Sequence, residues 1–148
     1  MDWEPISEAA LWDKIIDAEG RMNPQLFRLW EAIRITPEKW NETSYGPSAE
    51  DSGWWVAIIG NRAIWFNDIE DGFNCSSYIV LGKLAEYWCN QDELEHAVQN
   101  ILTLIETGID FSVGRWNRQC HVSLKTAPRK LRGAQSLRGR RQYAAART

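Results

Sequence analysis

Four oxygen-bearing side chains, Asp68, Glu70, Asp71 and Asn74, fall within one short stretch, the kind of set that holds a hard cation. Their spacing misses the calcium-loop pattern. Counted from Asp68, glycine arrives one place early, at Gly72, and Ile79 stands where a closing glutamate belongs. The stretch reads as an acidic, solvated turn, and no metal is expected. A second pairing, Cys89 with His96, has a spacing that would bring thiol and imidazole to one side of a helix. A cap at Asn90 would leave Cys89 outside that helix, and His96 lies among Glu93, Asn100 and Thr103, off its apolar face. A lone cysteine with a lone histidine is a poor nucleophile–base motif. Cys120-His121 lies in a segment with little to hold a geometry. The sequence has no phosphate-binding glycine loop, no G-x-S-x-G elbow and no H-E-x-x-H pair, so no catalytic residue and no cofactor is expected. What is left is recognition. Glu86, Tyr87, Trp88 and Asp92 set aromatics beside carboxylates ahead of a helix, which suits anchoring a basic partner. With Asp68, Glu70 and Asp71 they make the candidate partner-binding set.

The charge distribution points the same way. Residues 1–107 carry 7 Lys/Arg and 19 Asp/Glu, so 7 − 19 = −12; residues 108–148 carry 10 Lys/Arg and Asp110 alone, so 10 − 1 = +9. The formal net charge of −3 therefore hides an acidic body and a basic tail, an asymmetry typical of interaction segments. With 44% hydrophobic and 25% charged residues the composition is that of a globular chain. The longest apolar run, Trp54 to Ile59, is far short of the ~20 residues of a membrane-spanning helix. The acidic N-terminus lacks signal-peptide character, and the three cysteines fit neither a disulfide framework nor a metal clip. The expectation is a cytoplasmic protein with reduced thiols and no membrane partner.

The elements that must position these residues follow from periodicity and punctuation. Ser7 is placed to cap a first helix, with Ile6 and Leu11 as its hydrophobic staple, Leu11, Trp12, Ile15 and Ile16 as its apolar face, and Gly20 as its terminator. Asn23-Pro24 opens a second helix with Leu26, Phe27, Trp30 and Ile33 on one face. Ile35 to Trp40, containing Pro37, reads as an edge strand. A polar loop from Thr43 to Gly53 follows. Trp54–Ile59 and Arg62–Asn67 flank Gly60-Asn61 as a tight hairpin, and the first of these strands, apolar on both faces, should be central and covered on both sides. A further strand is expected from about Phe73 to Val80, after a turn whose final residue, Gly72, suits a positive φ. The last helix should be capped by Asn90 with Glu93 closing a capping box, bury Leu94, Ala97, Val98, Ile101, Leu102, Leu104 and Ile105, and end at Gly108. The aromatics Trp54, Trp55, Trp65, Phe66 and Phe73 are expected in the core. The fold class is α+β: a small antiparallel sheet, a hairpin plus one or two further strands, packed with two N-terminal helices and one C-terminal helix. The acidic domain is expected to span 1–107. Residues 108–148, above all Lys125 to Thr148, bury too little to offset their ordering entropy and are expected to be disordered.

Two blocks, Asn67-Asp68-Ile69-Glu70-Asp71-Gly72-Phe73-Asn74 and Glu86-Tyr87-Trp88-Cys89-Asn90-Gln91-Asp92-Glu93-Leu94-Glu95, resemble a family of small acidic bacterial proteins of unassigned activity. The resemblance implies a bacterial single-domain protein ending near Gly108. It carries no catalytic roles, and the basic tail departs from its pattern. The function expected is a non-enzymatic binding module that masks a basic protein, as an immunity protein or antitoxin does. The alternatives are a nucleic-acid accessory factor acting through the Arg-rich tail alone, since the acidic body repels phosphates, and a small hydrolase whose site the residues do not assemble.

Overall fold

In the computed structural model, which describes residues 4–39, 53–88 and 90–110, Ser7 starts the first helix, α1 (Glu8–Arg21), by accepting the Ala10 N–H on its Oγ at 3.2 Å. Leu11, Ile15 and Ala18 turn inward. Ile16, expected on that face, is 58% exposed, because a helix lying on a sheet buries a narrower stripe than the sequence offered. Gly20 does not end α1. The helix runs to Arg21, whose guanidinium reaches Glu95 at 2.6 Å and Glu93 at 3.1 Å, tertiary partners that outweigh the local stop signal. Asn23 caps α2 (Pro24–Ile33) through the Leu26 N–H at 2.9 Å, with proline at the first turn as expected. Trp30 donates its indole N–H to Glu19 at 2.7 Å, fixing α2 against α1.

The chain then passes directly into β1 (Arg34–Lys39). Four further strands, β2 (Gly53–Ile59), β3 (Arg62–Asn67), β4 (Gly72–Val80) and β5 (Lys83–Leu84), complete an antiparallel sheet in the order β1-β2-β3-β4-β5. Pro37 sits in the edge strand β1, where a missing N–H is tolerated. Gly60 takes a φ of 55° in the β2–β3 hairpin, as turns matching strand twist require. The third helix, α3 (Leu94–Thr107), ends on Gly108 at a φ of 72°. The architecture is the expected α+β arrangement of two N-terminal helices, one C-terminal helix and an antiparallel sheet. Of the loop expected from Thr43 to Gly53, only Gly53 is described, and it opens β2; of the disordered tail expected over 108–148, only Gly108 to Asp110 are described, with Gly108 closing α3 and Asp110 paired with Arg62. Among the described residues no helix is long and apolar enough to cross a membrane.

All three helices contribute to one face of the sheet, where Trp54, Val56, Ile64, Phe66, Phe73 and Cys75 meet Leu11, Ile15, Leu26, Trp30, Leu94, Val98 and Ile101. The other face carries Trp55, Ala63 and Trp65 with Leu84, packed by Ile35, Ile58, Tyr78 and Tyr87. The expected aromatics are therefore core, split between two faces by strand alternation. The expected face of α3 is corrected at its end: Leu94, Ala97, Val98 and Ile101 are buried, whereas Leu102 and Leu104 are half-buried and Ile105 is 56% exposed.

Candidate functional site

Residues 85–92 form a strap that leaves β5 and returns to α3 with little regular structure of its own. An irregular segment packed on a core needs partners for its backbone groups. Two buried asparagines, Asn67 and Asn74, supply many of them. Asn74 accepts the Asn90 N–H on Oδ1 at 2.7 Å and donates from Nδ2 to the carbonyls of Asn90 and Gly72, each at 3.3 Å. Asn67 donates to the Tyr87 hydroxyl at 2.9 Å and to the Trp88 carbonyl at 3.3 Å. Its Oδ1 meanwhile accepts the N–H groups of Ile69 and Glu70, shaping the β3–β4 turn. The Phe73 N–H reaches the Asp92 carbonyl at 2.8 Å. The two sequence blocks are thus one structure: the turn 68–71 and the strap are tied together through Asn67 and Asn74.

This arrangement overturns two local expectations. Gly72 does not hold a positive φ. That conformation falls on Asp71, at 52°. Gly72 is glycine because the strap crosses it: a Cβ there would stand 2.3 Å from Gln91 Cα and 2.6 Å from the Asn90 oxygen. Nor does Asn90 cap α3. Its backbone is bound to Asn74, so the chain stays extended through the bridge at Asp92, and the helix begins after Glu93, which makes no side-chain cap.

The seven candidate residues divide. Asp68 is half-buried and accepts the Ile6 N–H at 2.6 Å, tying the N-terminal segment to the turn. Burial pushes its pKa above the usual aspartate value, partly offset by that hydrogen bond and by Lys39. Tyr87 packs its ring 5.2 Å from Trp65 and covers the second face. These two are structural. Trp88 donates its indole N–H to Glu86 at 3.2 Å, both half-buried on the strap. Asp71 is largely exposed and pairs with Lys14 at 3.1 Å. Glu70 has no ion pair among the described residues. Asp92 uses its backbone for the bridge to Phe73, while its side chain borders a shallow polar depression of about 270 Å³ with His96, Gln99 and Asn100. The bridge between Phe73 and Asp92 brings the Asp92 backbone beside the end of the turn that carries Glu70 and Asp71.

The cation reading of the turn does not fit this geometry. Asp68 turns to Ile6, Asp71 to Lys14 and Asn74 to Asn90, so their oxygens diverge. Among the described residues no three His, Cys, Asp or Glu side chains gather as a metal site would. His96 is exposed, as expected, and Cys75 is buried; Cys89, Cys120 and His121 lie outside the described residues. Asn67 and Asn74 are what the sequence reading missed as organisers. The available signal was an asparagine within each flank of the turn, at strand positions where asparagine is depleted. Comparison with protein-family models, with curated proteins and with solved structures finds no match.

Proposed function

We propose that the acidic edge formed by Glu70, Asp71 and Asp92 binds a basic protein partner and masks it, in the manner of an immunity protein or antitoxin. The observation that carries this reading is the separation of tasks between adjacent residues. Asn67, Asn74, Asp68 and Tyr87 hold the turn and strap in place, so that Asp71, largely exposed beside Lys14, and the half-buried Glu70 and Asp92 stand on a rigid support. Elsewhere in the body Arg21 and Arg34 are engaged in internal ion pairs, and Lys14 meets Asp71. Residues 1–107 carry a formal surplus of twelve negative charges, and a net charge of that sign raises the encounter rate with a cationic protein.

The test is association kinetics with a basic protein that copurifies with the chain. The triple variant E70Q/D71N/D92N should associate roughly tenfold more slowly at low salt, and the difference should vanish where the Debye length falls to about 3 Å. Equal rates for the two proteins at low salt would remove the acidic edge from recognition. Duplex DNA binding by the full chain that survives the triple variant would favour the nucleic-acid alternative, in which the ten cations of the tail act alone.

A further inference from the structure

Where β4 turns into β5, at the end of the sheet that also holds the β2–β3 hairpin, Ile79, Val80 and Leu81 are 74%, 57% and 70% exposed. Beside them a groove of about 610 Å³ opens, with Ile35 and Glu38 of β1, Ile58 of β2, and Leu81 and Gly82 of the turn among its walls. β1 and β5 are opposite edges of the sheet, so a groove that β1 shares with the β4–β5 turn requires the sheet to curl around its second face. Three consecutive aliphatic side chains left in water beside such a groove mark a binding surface. It is independent of the basic-partner reading, which rests on carboxylates of the turn 68–71 and the strap.

The charges of this surface identify an occupant. Glu38 is exposed and, as the register partner of Trp55, belongs to the second face. Lys39 also borders the groove, but it is the register partner of Trp54 and holds its ammonium 5.2 Å from that ring, on the helical face, where it also acts on Asp68. The groove therefore carries both signs and offers no net attraction to a strongly acidic or a strongly basic partner. Lys83, exposed two residues beyond Leu81, sets a cation on the apolar tip. Neither Glu38 nor Lys83 has an ion pair among the described residues. One surface thus holds an apolar projection beside an apolar hollow, with a cation on the projection and an anion at the hollow. A surface complementary to itself is what a twofold contact between identical chains requires. The formal charge of the whole chain is only −3, so two copies repel weakly.

We propose that a second copy of this chain occupies the groove. The Ile79–Leu81 tip of each copy enters the hollow beside Ile35 and Ile58 of the other, and Lys83 of each meets Glu38 of the other. The contact is small, three aliphatic side chains from each copy, which places it among weak, reversible interfaces, with a dissociation constant on the order of 10 μM. The acidic turn follows the end of β3 away from the hairpin, so it stays uncovered and a dimer presents it twice.

The test is sedimentation equilibrium of the full chain across concentrations that span this constant. The mass should rise from monomer to dimer, and L81D should weaken the dimer roughly tenfold or more. E38K and K83E should each weaken it roughly fivefold, because twofold symmetry breaks both ion pairs at once, and the double swap E38K/K83E should restore it. The swap keeps the test independent of any folding defect in L81D, since both of its positions are exposed. A chain that stays monomeric throughout would overturn the proposal. So would a dimer that L81D leaves intact, or a double swap no tighter than the single variants, since the dimer would then be held by another surface.

Discussion

The two faces of the sheet are sealed by different physics. On one, three helices meet the strands through aliphatic and aromatic side chains, and no single contact defines the interface. On the other, Trp55 and Trp65 are as deeply buried as Ile101 and Trp30 under the helices, at 2% and 1% exposure. Yet what lies over part of that face is a strap with little regular structure. Asn67, Asn74 and Ser76, the buried polar residues of the described structure, all project to this second face. Ser76 accepts the Trp65 indole N–H at 2.9 Å, while the two asparagines serve the strap backbone. A helix brings its own backbone bonds to an interface. A strap does not, so side chains that are donor and acceptor at once must supply them. The helical face should therefore lose stability gradually under mutation, and the strapped face abruptly at a few atoms.

The largest effect is expected at Gly72. Gly72→Ala puts a methyl group against the backbone of Asn90 and Gln91, neither of which is a flexible side-chain end. It should cost about 3 kcal/mol or more, the upper end for forced overpacking. Urea unfolding reads this directly, and a loss below ~1 kcal/mol would mean that the strap is free to shift.

On the helical face, Ile101→Ala should cost about 2–4 kcal/mol by leaving a cavity. Asn74→Ala removes one hydrogen-bonded residue and strands the Asn90 N–H, for about 2 kcal/mol. The two should differ in kind. Exchange at strap amides should accelerate in Asn74→Ala far more than in Ile101→Ala. Equal acceleration in both would dissolve the distinction between the faces.

Asp68 gives a pH signature. Its folded pKa is raised, chiefly by burial, so the folded state holds the proton more tightly than the unfolded chain. Stability should accordingly fall as pH rises from about 4, the ordinary aspartate range, through the raised folded value, and level off above it. Asp68→Asn keeps an oxygen for the Ile6 N–H and should flatten that limb in denaturant titrations. Glu95 acts oppositely: burial favours its protonated form, but the Arg21 hydrogen bond and charge outweigh it, so its pKa is lowered. Its contribution is lost as pH falls through that lowered value. A stability profile of Asp68→Asn parallel to the wild type would show the carboxylate to be solvated.

The smallest effect belongs to Ile105→Ala. The helical period places Ile105 on the stripe, but it is 56% exposed, and its truncation should stay within about 0.5 kcal/mol. A loss comparable to that of Ile101→Ala would require a further element over the end of α3.

Much of this architecture is local in origin and therefore legible in the chain. Ser7 and Asn23 cap helices because a side-chain oxygen satisfies an N–H two or three residues on, whatever the rest of the fold does. Gly60-Asn61 turns a hairpin for a similarly short-range reason, and alternation along β2 and β3 sends tryptophans to both faces. The charge division between body and tail is likewise visible in the sequence alone. What the chain could not declare depends on partners distant in sequence. Gly72 looks like a turn glycine until the strap is laid across it. Asn90 looks like a cap until Asn74 binds its backbone, and Gly20 like a stop until Arg21 finds Glu93 and Glu95 on α3. The acidic turn reads as one cluster, yet the fold gives Asp68 to the N-terminal segment and Asp71 to Lys14, leaving Glu70 half-buried with no ion pair among the described residues. In each case a short-range signal worth a kilocalorie or so competes with a contact that exists only after folding. For Asn90 and Asp68 the contact also gives a partner to a part-buried backbone N–H.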